Sequence, residues 1–219
     1  LGGSEERRKF VDGTLSQFDG QYLNQLLAYN KALSQRNSAL KQMASQGRFD
    51  QDLLEVYNQQ LVANSTYIFE ERQRLVDDLK DRFNDFYSKI SGDKEKVSLQ
   101  YKSQLFEYDM GDLLLKNSEK DRILQRTSSG LHRDDLIFEI DGMVVKRFGS
   151  QGQQKSFLIA LKLAQFDLIA ERGKRKPILL IDDLFDKLDL ERSGFLLELL
   201  NSDSIGQVFI TDTDPDRIK

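Results

Sequence analysis

The chain has 219 residues, enough for one large domain or two small ones with a buried core. It has no cysteine, which excludes a disulfide framework and a thiolate metal site. No apolar run approaches the length of a membrane span and no signal peptide is visible, so we expect a cytoplasmic protein without a membrane partner. The formal net charge of −4 argues against binding nucleic acid by bulk charge, and any DNA contact must come from local basic patches.

The N-terminal part of the chain has the spacing of long amphipathic helices. A leading helix is expected over about Ser4–Phe18. Apolar residues then alternate by fours and threes from Tyr22 to Met43, and a similar stripe runs from Leu54 to Ile90 after the break at Gln46-Gly47-Arg48. The two long helices are predicted to pack antiparallel as a coiled-coil-like hairpin.

Two polar residues, Arg36 and Asn64, occupy seam positions of this predicted hairpin. Such residues can set the register of paired helices at some cost in stability. The alternative is ordinary core packing with no partner role for the hairpin. The sequence leaves both interpretations open.

The middle of the chain predicts short strands and one more helix. Val97–Tyr101 alternates as a half-buried strand does, and Ser118–Arg126 is a predicted helix. Leu136–Ile140 and Met143–Phe148 are the predicted strands of a hairpin, because the Asp141-Gly142 pair between them suits the left-handed dihedrals of a tight turn.

The single histidine, His132, lies in the segment Leu-His-Arg-Asp-Asp. A lone histidine with no cysteine nearby is a poor metal site. His132 and Arg133 therefore either contact phosphate or brace their loop against Asp134 and Asp135.

The most informative segments lie in the last third of the chain. Ser150–Lys155, the signature loop, reads Ser-Gln-Gly-Gln-Gln-Lys and opens a predicted helix that extends to about Arg172. A small-residue loop that opens a helix offers unpaired N–H groups and a positive helix end to phosphate. The apolar strand Ile178–Ile181 then ends in Asp182 and Asp183, which place carboxylates where a magnesium ion would bind.

A signature loop, a helix, an apolar strand with terminal acids and the turn Asp186-Lys-Leu-Asp189 follow one another in this order. The order resembles the C-terminal lobe of ABC-type ATPase heads. The usual signature there is LSGGQ, whereas SQGQQ followed by a double Asp is similar to the bacterial RecF family of DNA-repair proteins. The segments Leu131–Leu136 and Glu6–Asp12 extend the resemblance to nearly the whole chain.

The resemblance implies an α/β fold, with an ABC-type ATPase C-terminal lobe and an inserted antiparallel helical hairpin. Residues 1–12 and 96–219 would form the lobe and residues 13–95 the hairpin domain. A helix over Leu190–Leu200 and a strand over Val208–Ile210 are predicted to close the lobe. Its apolar strands favour a parallel sheet buried on both faces.

The resemblance also implies roles for four side chains. Asp182 would hold Mg²⁺ and so order the β- and γ-phosphates of ATP. The alternative for Asp182 is a solvated acid at the end of a strand. Asp183 stands where many ABC heads carry a glutamate that polarises water, and it is the candidate general base. Asp189 matches the D-loop and can also cap the next helix. Thr211 replaces a switch histidine and would bind nucleotide by hydrogen bonding alone.

The signature loop acts across a dimer in this class of ATPase. Ser150 and the backbone N–H groups of Gln151, Gly152 and Gln153 would bind the γ-phosphate of a nucleotide held by the other subunit. Each subunit would therefore supply half of two sites.

The phosphate-cradling motif Gly-x-x-x-x-Gly-Lys-Ser/Thr does not occur in the sequence, since Gly173-Lys174 is followed by Arg175 and preceded by Leu168 at the first-glycine position. We expect the missing lobe to precede Leu1 in a longer protein. The longer protein would be a slow ATPase, and the 219 residues alone would not be competent.

The function implied is that of a RecF-like, ATP-dependent DNA-binding protein of recombinational repair and replication. ATP and Mg²⁺ would be its cofactors. It would form an ATP-dependent homodimer at DNA gaps and recruit recombination mediators such as RecR or RecO for RecA loading. Two alternatives are another head of the SMC kind, which the short hairpin disfavours, and a non-catalytic helical interaction module.

Overall fold

The computed structural model describes residues 2–173, 177–184, 186–201 and 206–212. These residues pack as two compact units. The helical unit contains residues 2–75 and 101–136, and the C-terminal unit contains residues 76–100 and those from 137 onward. Compact packing does not define an inserted domain, so the division into residues 1–12, 13–95 and 96–219 stays a prediction.

Three helices occupy the N-terminal part of the chain: α1 (Ser4–Leu15), α2 (Gly20–Gln46) and α3 (Gln51–Ser91). The side chain of Asp19 caps α2 by accepting a hydrogen bond from the Tyr22 N–H at 2.9 Å. Gly47 ends α2 with a left-handed φ of 64°, which a glycine adopts without steric cost. The leading helix is shorter than predicted: it begins after Gly3 and ends three residues before Phe18.

The contacts between α2 and α3 confirm the predicted antiparallel pairing. Asp19 accepts a hydrogen bond from the Tyr67 hydroxyl, and Arg36 donates to Asn58. Near the other end of the pair, Met43 belongs to the same apolar cluster as Leu54. The residue numbers of the partners on α3 thus decrease as the residue numbers along α2 increase, which is the order that an antiparallel hairpin requires.

The two polar seam residues behave differently. The Arg36 side chain is 2% exposed and pairs with Asp121 at 2.7 Å, while also donating to Thr127 at 2.8 Å. Asn64 donates to the carbonyl of Gln60 in its own helix at 2.7 Å. The buried arginine therefore holds Asp121 and Thr127 against the hairpin, in addition to its contact with α3.

A three-stranded sheet has the order β1-β2-β3, with β1 at Val97–Lys102, β2 at Asp135–Ile140 and β3 at Met143–Val144. Between β1 and β2 lie two short helices, α4 (Met110–Lys116) and α5 (Ser118–Leu124), with 3₁₀ turns at Gln104–Phe106 and Leu131–Arg133. The hydrophobic pattern of the sequence does not predict α4.

The predicted β-hairpin is correct at its turn and wrong in its second strand. Asp141 and Gly142 adopt φ values of 50° and 75°, as a tight two-residue turn requires. The second strand, however, ends at Val144, and residues 145–148 form the helical turn α6 (Val145–Phe148). Val145 is fully buried and its carbonyl accepts from the Gly149 N–H at 2.9 Å, so the chain turns there instead of extending to Phe148.

The C-terminal unit continues with α7 (Gln151–Arg172), β4 (Leu179–Ile181), α8 (Leu190–Leu200) and β5 (Val208–Ile210). Phe157 of α7 anchors its core, with ring centroids 4.6 Å from Phe83 and 5.2 Å from Phe138. No helix in the described part of the chain is both long and apolar enough to cross a lipid bilayer.

Strands β4 and β5 pair in parallel, with Leu180 opposite Phe209. The prediction of a parallel arrangement is therefore confirmed. Burial on both faces is not found among the described residues, because Leu180 is 73% exposed and Phe209 is 59% exposed. The side chain of Leu179, one position earlier, is buried.

Candidate functional site

The two acids that follow β4 are held by a threonine that follows β5. Because β4 and β5 are parallel neighbours, their carboxyl ends meet at one edge, and the Thr211 N–H donates to the carbonyl of Ile181 at 3.0 Å. The Thr211 hydroxyl donates to the Asp182 carboxylate. The same oxygen accepts from the Asp183 N–H at 3.1 Å. Asp182, Asp183 and Thr211 thus form one hydrogen-bonded cluster.

Asp183 combines an unusual backbone with an incompletely paired carboxylate. Its φ of 52° lies in the left-handed region, where a residue with a side chain is uncommon. One carboxylate oxygen, Oδ1, is buried without a hydrogen-bond partner among the described residues. Its carbonyl oxygen accepts from the Lys155 ammonium at 2.8 Å. Backbone strain and an unpaired buried oxygen are features that cluster at functional sites.

The signature loop forms a capping box at the start of α7. The Ser150 hydroxyl accepts from the Gln153 N–H at 3.2 Å, and the Gln153 side-chain carbonyl accepts from the Ser150 N–H at 2.7 Å. Gln151 and Gly152 are the first two helical residues, whose N–H groups have no acceptor within the helix. The N–H of Gln153 is therefore already used, and those of Gln151 and Gly152 are the ones oriented for an anion.

The signature loop lies against the turn that follows β4. A Cβ placed on Gly152 would be only 3.1 Å from the carbonyl oxygen of Lys187, a residue with a left-handed φ of 65°. Two residues further on, Asp189 accepts from the Arg192 N–H at 2.8 Å and so caps α8, as the sequence predicts. The Asp189 side chain also pairs with the Arg192 Nε at 3.4 Å and is nevertheless 62% exposed.

Glu95, which the motifs did not single out, connects three elements of the C-terminal unit. Its carboxylate accepts from Arg192 of α8 at 2.7 Å, from Gln153 of α7 at 3.0 Å and from the Tyr87 hydroxyl of α3. Burial alone would raise the pKa of Glu95, but the hydrogen bonds from Tyr87, Arg192 and Gln153 outweigh it and lower the pKa.

The structure brings most of the predicted site residues into two adjoining clusters. Asp182, Asp183 and Thr211 form one, and the signature loop with the turn ending at Asp189 forms the other. Lys155 connects them, since it belongs to the signature helix and binds the Asp183 carbonyl. The sequence motifs did not identify Lys155 or Glu95 as site residues. Lys155 is the last residue of the signature loop, and its charge could have indicated a role in the site.

The described residues include no group of three acids or histidines suited to hold a metal ion. Asp182 alone presents an exposed carboxylate at the end of β4. This fits Mg²⁺ bound by one carboxylate, water and the phosphates of a nucleotide, because Mg²⁺ keeps several waters and seldom occupies an all-protein cage.

His132 belongs to the helical unit and braces a loop there. Its Nε2 lies 3.1 Å from the Thr127 carbonyl oxygen, which can only accept, so Nε2 carries the proton and Nδ1 accepts from the Tyr29 hydroxyl at 3.3 Å. Burial lowers the pKa of His132 to about 4. Nearby, the buried Arg72 pairs with the partly buried Asp12 at 2.9 Å and with the buried Asp134 at 3.0 Å, all within the same unit.

No model of a known protein family matches the chain. Individual curated proteins, however, are similar to it in sequence. The chain is 52% identical over 215 residues to the DNA replication and repair protein RecF of Flavobacterium johnsoniae, an alignment that covers 98% of this chain and 60% of the relative. It is 47% identical over 213 residues to RecF of Parabacteroides distasonis, covering 97% and 57% respectively. The chain therefore spans about 60% of the length of these relatives.

Comparison with solved structures also finds similarity to RecF. A structure of the recombination mediator protein RecF with ATP in the RecFOR pathway superposes with a TM-score of 0.84 at 29% identity, over 98% of this chain and 59% of that one. The Smc head domain of Pyrococcus furiosus superposes with a TM-score of 0.51 at 16% identity, over 99% of this chain and 52% of that one, which shows a shared fold.

The fold of the described residues is that of the C-terminal lobe of an ABC-type ATPase head. Within that class the chain belongs to the RecF family, to which the 52% identity with a curated RecF protein assigns it. The much weaker likeness to the Smc head disfavours the SMC alternative.

Proposed function

We propose that this chain is the part of a RecF-like DNA replication and repair protein that completes an ATP site across a dimer of heads. The observation that carries the proposal is the geometry of Asp183, which has a left-handed φ and a buried carboxylate oxygen without a hydrogen-bond partner among the described residues, next to the exposed Asp182. The relatives supply independent support, since those proteins are named for DNA replication and repair and a solved neighbour contains ATP.

In the proposed mechanism the two acids have separate roles. Asp182 would hold Mg²⁺, and the Thr211 hydroxyl, which donates to the Asp182 carboxylate, orients it for this role. Mg²⁺ would neutralise charge on the β- and γ-phosphates. Asp183 accepts a proton from, or orients, the attacking water through the oxygen that the described protein leaves unpaired. Thr211 acts on the nucleotide through these acids, because its single O–H is directed at Asp182.

The start of α7 is proposed to bind the γ-phosphate of the partner's nucleotide. Ser150 fixes the first turn, and the N–H groups of Gln151 and Gly152 face the anion at the positive end of a 22-residue helix. Gln153 completes the capping box, and Asp189, exposed on the adjoining turn, would contact the partner subunit. ATP would therefore favour dimerisation, and its hydrolysis would release the dimer.

DNA and recombination mediators such as RecR and RecO are the partners we propose for the whole protein. The RecF protein whose structure was solved with ATP belongs to the RecFOR pathway, which supports this class of partner. The expected cytoplasmic location is consistent with a role on bacterial DNA.

The two acids can be tested separately in the full-length protein. Asp183→Asn should preserve ATP binding and slow hydrolysis at least about 10-fold, because an amide cannot take a proton and general bases typically contribute more than that. Asp182→Asn should instead weaken Mg²⁺-dependent binding. Single-turnover hydrolysis and nucleotide titration with and without Mg²⁺ distinguish the two. Normal turnover by Asp183→Asn would refute the water-activating role.

A further inference from the structure

We propose that Lys155 is a positioning residue for Asp183: it holds the strained backbone of the candidate base and ties it to the signature helix. The proposal rests on the proposed function, because it assigns Lys155 a part in the same hydrolysis. Nothing in the sequence motif alone assigns this role.

The Asp183 peptide is held from both sides. Its N–H donates to the Thr211 hydroxyl at 3.1 Å, and its carbonyl accepts from the Lys155 ammonium at 2.8 Å. The left-handed φ of 52° is less favourable than the right-handed region for a residue with a Cβ, although Asp tolerates it better than most, and the bonds to both the N–H and the carbonyl of Asp183 stabilise it. A bond to a charged ammonium is stronger than one between neutral groups, which makes Lys155 well suited to this task.

The Asp183 carbonyl that Lys155 binds is attached to the same Cα as the Asp183 side chain. If the carbonyl rotates toward the common right-handed conformation, the Cα–Cβ bond swings with it. The oxygen Oδ1, which is buried and has no hydrogen-bond partner among the described residues, then changes its orientation. Lys155 therefore acts on the carboxylate through the backbone and need not touch the nucleotide.

The position of Lys155 on α7 also connects the base to the phosphate-binding turn. Lys155 follows Gln151 by four residues and Gly152 by three, so the three side-chain positions share one helix face. A small movement of the first turn of α7, such as phosphate binding would favour, displaces the ammonium against the Asp183 carbonyl. The base would then be aligned when the signature loop engages its anion.

The test uses the full-length protein and three lysine variants. Lys155→Met keeps the aliphatic stem and removes the donor, and it should lower kcat about 10-fold with little change in ATP affinity, since misplacing a reacting group by fractions of an ångström has effects of this order. Lys155→Arg keeps a donor and should recover part of the rate. Lys162→Met, on the same helix, is the matched control and should leave kcat unchanged.

A double-variant cycle separates positioning from general damage to the fold. If Lys155 acts through Asp183, adding Lys155→Met to Asp183→Asn should cause no further loss of kcat. Equal multiplicative losses in the two backgrounds would overturn the proposal, as would a wild-type rate for Lys155→Met. If Asp183→Asn itself hydrolyses ATP normally, the proposed function fails; if only the lysine variant does, this inference alone fails.

Discussion

Glu95 and Arg192 form an ion pair of 2.7 Å, and each of them also binds the signature helix α7. Glu95 accepts from Gln153 at 3.0 Å, and the Arg192 guanidinium donates to the Ser156 hydroxyl at 3.2 Å. The pair therefore fixes the first two turns of α7 relative to α8. Both side chains are 14% exposed, which limits screening of the pair by solvent.

Glu95→Gln should destabilise the protein by about 1–3 kcal/mol at neutral pH, because it leaves Arg192 without its anion. The lowered pKa of Glu95 means that the folded state releases its proton more readily than the unfolded chain. Its contribution is therefore fully present above the ordinary glutamate pKa of about 4.3 and is lost as the pH falls through the lower folded value.

Chemical unfolding of wild type and Glu95→Gln between pH 7 and pH 3 measures this contribution. The difference in unfolding free energy should be constant above pH 5 and shrink below pH 4. Glu198→Gln, at an exposed position of α8, is the control and should match wild type. A wild-type to Glu95→Gln difference independent of pH throughout this range would contradict the assigned pKa shift.

Gly152→Ala should weaken ATP-dependent dimerisation of the full-length protein, because the new methyl group would lie 3.1 Å from the Lys187 carbonyl and displace the adjoining turn. Gly194→Ala is the matched control: a Cβ at this α8 position meets nothing within 4 Å. It should raise stability by about 0.5–1 kcal/mol through helix propensity alone. Sedimentation with ATP, together with thermal unfolding, checks both; unchanged dimerisation by Gly152→Ala would show that the turn tolerates displacement.

Ser150→Arg should leave nucleotide binding by a single subunit intact and abolish ATP-dependent dimerisation. The substitution removes the cap that accepts from Gln153 and places a bulky side chain at the proposed approach of the partner's phosphate. Ser150→Asp, which retains a capping oxygen, separates loss of the cap from steric blockage. Sedimentation of full-length variants with ATP decides the question, and a Ser150→Arg dimer of normal affinity would remove Ser150 from the proposed interface.

His132 should make stability depend on pH in a different range. Its folded pKa is about 4, whereas an unfolded histidine titrates near 6.5. Between these values the unfolded chain binds a proton that the folded chain does not, so acidification destabilises the fold by up to about 1.4 kcal/mol per pH unit. His132→Gln should be less stable at pH 7 yet lose less on acidification from 6.5 to 4. Urea unfolding across this range measures it; parallel curves for both proteins would contradict the buried, neutral state.

Periodicity and turn chemistry were sufficient to predict the helical hairpin and the Asp-Gly turn. The seven-residue spacing from Tyr22 through Tyr29 to Arg36 leaves all three buried on one face of α2. These predictions succeeded because each depends on local spacing or on one turn. The end of β3 at Val144 did not follow from spacing, since the burial of Val145 decides it.

The sequence singled out the acids Asp182 and Asp183 and the start of α7 as a candidate site, but it did not indicate the bonds that position them. Lys155 and Asp183 are 28 residues apart in sequence and meet through a backbone carbonyl, which leaves no side-chain pattern to detect. Glu95 joins elements separated by 58 and 97 residues. Contacts of this kind depend on tertiary packing, and they leave no repeating local pattern in the sequence from which they could be predicted.

If Asp183 is the general base proposed above, its left-handed backbone means that a substitution there changes stability and turnover in opposite directions. A glycine there would relieve the steric cost of a φ of 52° and remove the unpaired buried oxygen. Selection for heat resistance alone would therefore favour Asp183→Gly, whereas selection for hydrolysis would retain the acid. A variant isolated for thermal stability and changed at this position should resist unfolding and, at the same time, remain trapped in its nucleotide-bound state.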